Sequence, residues 1–170
     1  MSFGYQKRRP LTEEEKSSDV AKARARALET LAAQEVSSGQ LYERLCRRFT
    51  EQVAAEVVAE MVQREYVNDE RYAEARAHSL LAARKSRRAA AQNLRQKGLS
   101  AQQVAAALEA VYAPDEEGEN PELSAAVALV ESRYRPKLAM GRRDLVVAAL
   151  QRRGFAYAVV KEAIKRVEEE

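Results

Sequence analysis

From Ala75 to Leu108 the chain carries no carboxylate, yet it holds Arg76, Arg84, Lys85, Arg87, Arg88, Arg95 and Lys97. At the chain's average density of 26 acids in 170 residues, a window of this length would contain about five. A second concentration, Arg142, Arg143, Arg152 and Arg153, lies nearer the C-terminus. The chemistry open to such clusters is electrostatic, because guanidinium and ammonium groups contact phosphates or acidic protein loops. On a helix opening near Ser86, residues Arg84, Lys85, Arg87, Arg88 and Arg95 offer a basic surface while Ala91 and Leu94 point inward. The competing reading is a solvated helix face without a partner, and the missing acids weigh against it.

Other chemistries find little support. His78 is the sole histidine and Cys46 the sole cysteine, so neither an intramolecular disulfide nor a multi-cysteine zinc site is available. The expected roles are a partly exposed helical histidine and a small packing cysteine. Asp69 and Glu70 fall at a helix cap and first turn, where carboxylates already have a structural role. No Walker motif or Gly-rich phosphate loop occurs, so the reading contains no catalytic residue, cofactor or metal, and an enzyme is not expected. Tyr66, Tyr72, Tyr112, Tyr134, Phe155 and Tyr157 sit mainly at helix junctions, where packing is the expected role. With few stacking platforms, any contact to DNA would run through the backbone with slight sequence preference. The net charge of +3 says little. No apolar run approaches the roughly 20 residues that span a bilayer, and the N-terminus lacks a signal peptide's apolar centre. A cytoplasmic monomer without membrane attachment is expected.

The elements that must position these residues read as helices throughout, since no segment alternates apolar and polar residues between turns. Thr12 and Glu15 have capping-box spacing after the basic Lys7, Arg8 and Arg9. A long helix is predicted from about Asp19 to Gln34, with Ala21, Ala25, Leu28 and Leu31 on one face. Ser37 and Gln40 open a second with Leu41 and Leu45 inward, and Thr50 caps a third carrying Val53, Val57 and Met61. Asn68 and Asp69 begin NDERYAEARAHSLLAAR, a helix from about Ser86 ends at Gly98, and Ser100 with Gln103 opens one bearing Val104, Leu108 and Tyr112. APDEEGENPEL then interrupts helicity and gathers Asp115, Glu116, Glu117, Glu119 and Glu122 into what reads as a solvated linker. Asn120 and Pro121 start further helices at about 121–135, 141–153 and 156–168.

A repeat underlies this order. Leu94 is followed by Lys97, Gly98 and Leu99, then Val104 and Leu108; Leu150 is followed by Arg153, Gly154 and Phe155, then Val160 and Ile164. Leu45, Arg48 and Phe49 with Ala54 and Val58 repeat the pattern one residue short, and the lost residue is the turn glycine. In each, a basic residue ends the helix where its charge complements the dipole, and glycine permits a left-handed cap.

Three three-helix units, the junction REYVNDERYAEARAHS, the stretch RKSRRAAAQNLRQKGLS and the ending LQRRGFAYAVVKEAI together resemble the RecX family over residues 19–168. The family's junction pattern is matched by Tyr66, Asn68, Asp69, Arg71, Tyr72 and Ala73, while Glu65 stands where a glycine is usual and Asn68 replaces one acid. The resemblance implies a regulator of the bacterial recombinase RecA. Such a protein binds in the groove of the RecA–single-stranded-DNA filament and suppresses strand exchange, ATP hydrolysis and coprotease activity. It supplies no catalytic residues. The expected architecture is an all-α, elongated tandem array of three-helix, helix-turn-helix-like repeats. Its parts would be a flexible basic arm (1–18), units at 19–67, 68–113 and 121–170, and an acidic linker at 114–120. The expected RecA- and DNA-binding residues are Arg84, Lys85, Arg87, Arg88, Arg95, Lys97, Arg142, Arg143, Arg152 and Arg153. Two rivals remain open: a DNA-binding module whose DNA affinity is itself the function, and a helical scaffold for another protein.

Overall fold

The computed structural model describes residues 9–169, so Lys7 and Arg8 of the expected arm lie outside the described residues. Among the described residues the fold is all-α, with nine helices, a 3-10 turn at Glu13–Glu15 and no strand. The helices are α1 (Val20–Ala33), α2 (Ser38–Leu45), α3 (Glu51–Gln63), α4 (Asp69–Ala82), α5 (Arg87–Gln96), α6 (Ala101–Tyr112), α7 (Pro121–Ala139), α8 (Arg143–Arg152) and α9 (Tyr157–Glu169). The chain divides after Asn68 into two compact units.

Most helices start at a side chain that takes up otherwise unpaired N–H groups. Ser37 Oγ accepts from Gln40 N at 3.1 Å, Ser100 Oγ from Gln103 N at 3.2 Å, and each glutamine reaches back to its serine's N–H. Asn120 Oδ1 accepts from Glu122 N and Leu123 N, with Pro121 at the first helical position. Each such cap contributes about 1 kcal/mol.

In the first unit, Leu41, Leu45, Val53, Val57 and Met61 form the core as their spacing predicts. The face of α1 does not follow its prediction. Ala23 and Ala27 are the fully buried residues, with Val20 and Leu31 packed beside them, while Ala21 and Ala25 are exposed and Leu28 is 42% exposed. Two alanines let α1 approach α3 closely, and Arg24 Nε donates to Glu60 Oε2 at 2.8 Å across that contact. The α2–α3 turn lacks the glycine of the other repeats, and a preceding segment supports it instead. Ser17 N donates to Arg48 O at 2.9 Å, Thr50 N donates to Ser17 O at 3.0 Å, and Glu51 N donates to Glu13 Oε1 at 2.7 Å. Residues 13–17, expected within a flexible arm, are thus tied down by backbone groups that a shortened turn leaves available. Glu65, where a glycine is usual, adopts the left-handed φ of +58° that such a glycine would take.

The second unit holds two clusters. Ala73, Ala77, Ala90, Leu94, Val104 and Leu108 centre one between α4, α5 and α6. Leu123, Leu129, Val146, Leu150, Val160 and Ile164 centre the other between α7, α8 and α9. On α5 the inward pair is Ala90 and Leu94, four residues apart, and Ala91 is only half-buried. Helix α7 runs through Pro136, past its expected end, because Tyr134 and Leu138 pack on the second cluster and hold the helix together beyond the missing N–H. Gly98 (φ +79°) and Gly154 (φ +90°) take the left-handed conformation that the repeated turn requires.

Candidate functional site

The two basic concentrations come together in the second unit, at a hydrogen bond that spans 67 residues of sequence. Ser86 closes the α4–α5 turn and is fully buried. Its Oγ accepts from Ala89 N at 3.1 Å, capping α5, and donates to Arg153 O at 2.9 Å, binding the turn between α8 and α9. Gly154 lies so close to the first turn of α5 that a Cβ there would stand 3.6 Å from Arg88 Cβ. The backbone carrying Arg152 and Arg153 therefore sits against the helix start carrying Arg87 and Arg88.

Contacts with α6 and α7 hold this junction. Arg84, at a left-handed φ of +56°, donates from Nη1 to Ala128 O at 3.0 Å and to Ser132 Oγ at 2.6 Å on α7. Tyr112 Oη donates to Lys85 O at 3.1 Å, and burial, with the Glu122 charge nearby, pushes the phenol up to about 12. Glu122 Oε1 accepts from Arg87 N at 3.0 Å and so caps α5 from α7. Its carboxylate offsets the cost of placing two arginines at a helix N-terminus. Glu122 is therefore a structural acid and not part of a solvated linker. In the same loop Asp115 Oδ1 accepts from Glu117 N and Glu119 N, which orders the turn.

The ten basic residues divide by what they touch. Arg84 is committed to α7, Arg87 pairs with Glu109 at 3.0 Å, Arg143 with Glu168 at 3.0 Å, and Arg142 with Asp144 at 3.5 Å. Lys97 is half-buried at the C-cap of α5. Among the described residues Lys85, Arg88, Arg95, Arg152 and Arg153 make no ion pair, and all but the half-buried Arg153 are exposed. Arg88 and Arg95, seven residues apart, lie on one face of α5 about 10 Å along its axis. The sequence alone did not show the roles of Ser86, Gly154, Glu109 and Glu122 at this junction. The serine showed only as the start of a helix, and the contacts of all four across the junction span more than 20 residues.

Elsewhere, His78 is exposed, with Nε2 3.9 Å from Glu74 Oε1, and Cys46 packs half-buried on the first core. Tyr112 and Phe155 are buried, whereas Tyr66 and Tyr157 are 52% and 60% exposed and are not packing residues. Among the described residues no three or more His, Cys, Asp or Glu are grouped to hold a metal ion, and no helix is long and apolar enough to cross a membrane.

Among the described residues the second unit thus brings together two three-helix groups and, at their junction, arginines that make no ion pair. Residues 68–108, which include α5 and its basic face, match the family model for RecX, second three-helix domain. Over 109 residues the chain is 36% identical to Regulatory protein RecX of Myxococcus xanthus (strain DK1622), an overlap of 64% of this chain and 58% of that relative's length. The fold is similar to that of RecX from Lactobacillus salivarius, with a TM-score of 0.76, 18% identity, and coverage of 89% of this chain and 97% of that one. It is also similar to another regulatory protein RecX, with a TM-score of 0.72, 21% identity, and coverage of 84% and 71%. The chain thus resembles RecX in residues 68–108 and in its fold, and it spans 58% of the length of the curated relative it matches.

Proposed function

We propose that this protein inhibits RecA by binding the RecA–single-stranded-DNA filament, with the basic face of its second unit as the contact surface. The observation that carries the reading is the group of unpaired cations, Lys85, Arg88, Arg95, Arg152 and Arg153, gathered where the turn after α8 docks on α5. Such a group repels itself unless a partner brings negative charge, and a nucleoprotein filament presents phosphates at regular intervals. The match to the second three-helix domain of RecX spans residues 68–108 and so includes Lys85, Arg88 and Arg95 of this face. In this reading the three-helix units 19–67, 68–113 and 121–170 act as successive segments of the inhibitor, which works as a cytoplasmic monomer without catalytic chemistry. Arg84 and Arg87 support the surface, Arg142 and Arg143 are held by Asp144 and Glu168, and the unpaired five make the contacts.

The second reading, a non-sequence-specific DNA-binding module, rests on the same cations, since the phosphates of bare DNA satisfy them equally. A pull-down of RecA by the tagged protein separates the readings. Capture of RecA that requires single-stranded DNA and a non-hydrolysable ATP analogue supports filament binding. Capture of DNA alone, with RecA excluded, favours the module. Capture of neither removes both and leaves a scaffold for another protein.

A further inference from the structure

We infer that Ser86 and Gly154 are positioning residues for the basic face, an interlock that fuses its two halves into one surface; the inference rests on the reading of that face as a polyanion-binding site. Arg88 and the Arg152–Arg153 pair belong to different three-helix groups, and no carboxylate among the described residues bridges them. Like charges brought together without compensation separate unless a close contact of another kind holds them. The contact present is uncharged. Ser86 Oγ is spent in both directions, accepting from Ala89 N at 3.1 Å and donating to Arg153 O at 2.9 Å, with the side chain fully buried.

Gly154 makes that hydrogen bond geometrically available. A Cβ at 154 would stand 2.7 Å from Ser86 Oγ, closer than the two atoms can approach. The hydroxyl has no free direction to retreat to, because moving it breaks either the α5 cap or the bond to Arg153 O. Gly154 therefore has two separable requirements: a left-handed φ of +90°, and vacant space for one oxygen. Gly118 shares only the first, with φ +78° and nothing within 4 Å of an added Cβ.

The test compares Gly154→Ala, Gly118→Ala, Ser86→Ala and the double variant Ser86→Ala/Gly154→Ala. Each is measured by urea denaturation and by anisotropy of a labelled oligothymidylate at low salt. Gly118→Ala should shift only stability and leave affinity within about twofold, whereas Gly154→Ala should weaken oligonucleotide binding about fivefold or more. Removing the Ser86 oxygen vacates the space, so adding the methyl at 154 in the Ser86→Ala background should cost no more stability than Gly118→Ala does. That recovery also covers the case in which Gly154→Ala alone fails to fold. Equal affinity and stability losses in Gly154→Ala and Gly118→Ala would overturn the interlock. A third measurement separates this from failure of the underlying reading. If Arg88→Ala/Arg152→Ala/Arg153→Ala binds the oligonucleotide as the parent does, the polyanion reading fails and the positioning role falls with it. If that variant loses binding while Gly154→Ala does not, the surface stands and the interlock alone is refuted.

Discussion

Removing the unpaired arginines, as opposed to the paired ones, should change how binding to single-stranded DNA responds to salt. If Lys85, Arg88, Arg95, Arg152 and Arg153 each neutralise one phosphate, log K falls against log salt with a slope of about −3.5, at about 0.7 per contact. Arg88→Ala/Arg152→Ala/Arg153→Ala leaves two contacts and a slope of about −1.4. Raising salt from about 50 to about 200 mM then weakens the parent roughly 100-fold and the variant roughly sevenfold. Arg142→Ala/Arg143→Ala is the matched control, since those guanidinium groups already face Asp144 and Glu168 at 3.5 and 3.0 Å. Its slope should stay within about 0.5 of the parent's. Arg88 and Arg152 are exposed, so the triple variant should remain folded, with stability changed by at most about 0.5 kcal/mol per site. Fluorescence anisotropy of a labelled oligothymidylate across a salt series reads all three slopes. A triple variant that keeps the parent's slope refutes the division of arginines into free and committed.

Three further outcomes follow from the supporting contacts. Arg84→Ala removes the bonds to Ala128 O and Ser132 Oγ and should destabilise the second unit by about 1–3 kcal/mol in urea denaturation; an unchanged midpoint would mean that those bonds contribute nothing net. Glu65→Gly should stabilise the protein by about 0.5–1 kcal/mol, because the left-handed penalty at φ +58° exceeds the added chain entropy; a loss of stability contradicts that balance. Tyr112 has its folded pKa raised from 10 to about 12, so its contribution is complete below pH 10 and is lost as pH climbs toward 12. Tyr112→Phe should therefore flatten the fall in stability over that alkaline window, and an equally steep fall in the variant would assign it to other groups.

Features set by local chemistry were legible in the sequence. The capping boxes at Ser37 and Ser100, the Asn120–Pro121 start and the left-handed Gly98 and Gly154 depend on atoms a few residues apart. The stripes Val53, Val57, Met61 and Val104, Leu108, Tyr112 also followed from helical period alone. The face of α1 did not, because an alanine-rich helix has no strong apolar side, and close approach to α3 selects Ala23 and Ala27 over the larger Leu28. The candidate site was legible as a concentration of charge and not as a geometry. Which arginines remain unpaired depends on Glu109, Ser132 and Glu168, which lie 22, 48 and 25 residues from Arg87, Arg84 and Arg143. A count of charge along the chain does not tell which of those residues meet in space.

ATP hydrolysis by RecA on single-stranded DNA, followed while this protein is titrated in, reads inhibition of the filament itself. Hydrolysis should fall as the protein is added, the fall should be lost in Arg88→Ala/Arg152→Ala/Arg153→Ala, and it should persist in Arg142→Ala/Arg143→Ala. Hydrolysis unchanged by a folded parent protein in excess over RecA would contradict that inhibition.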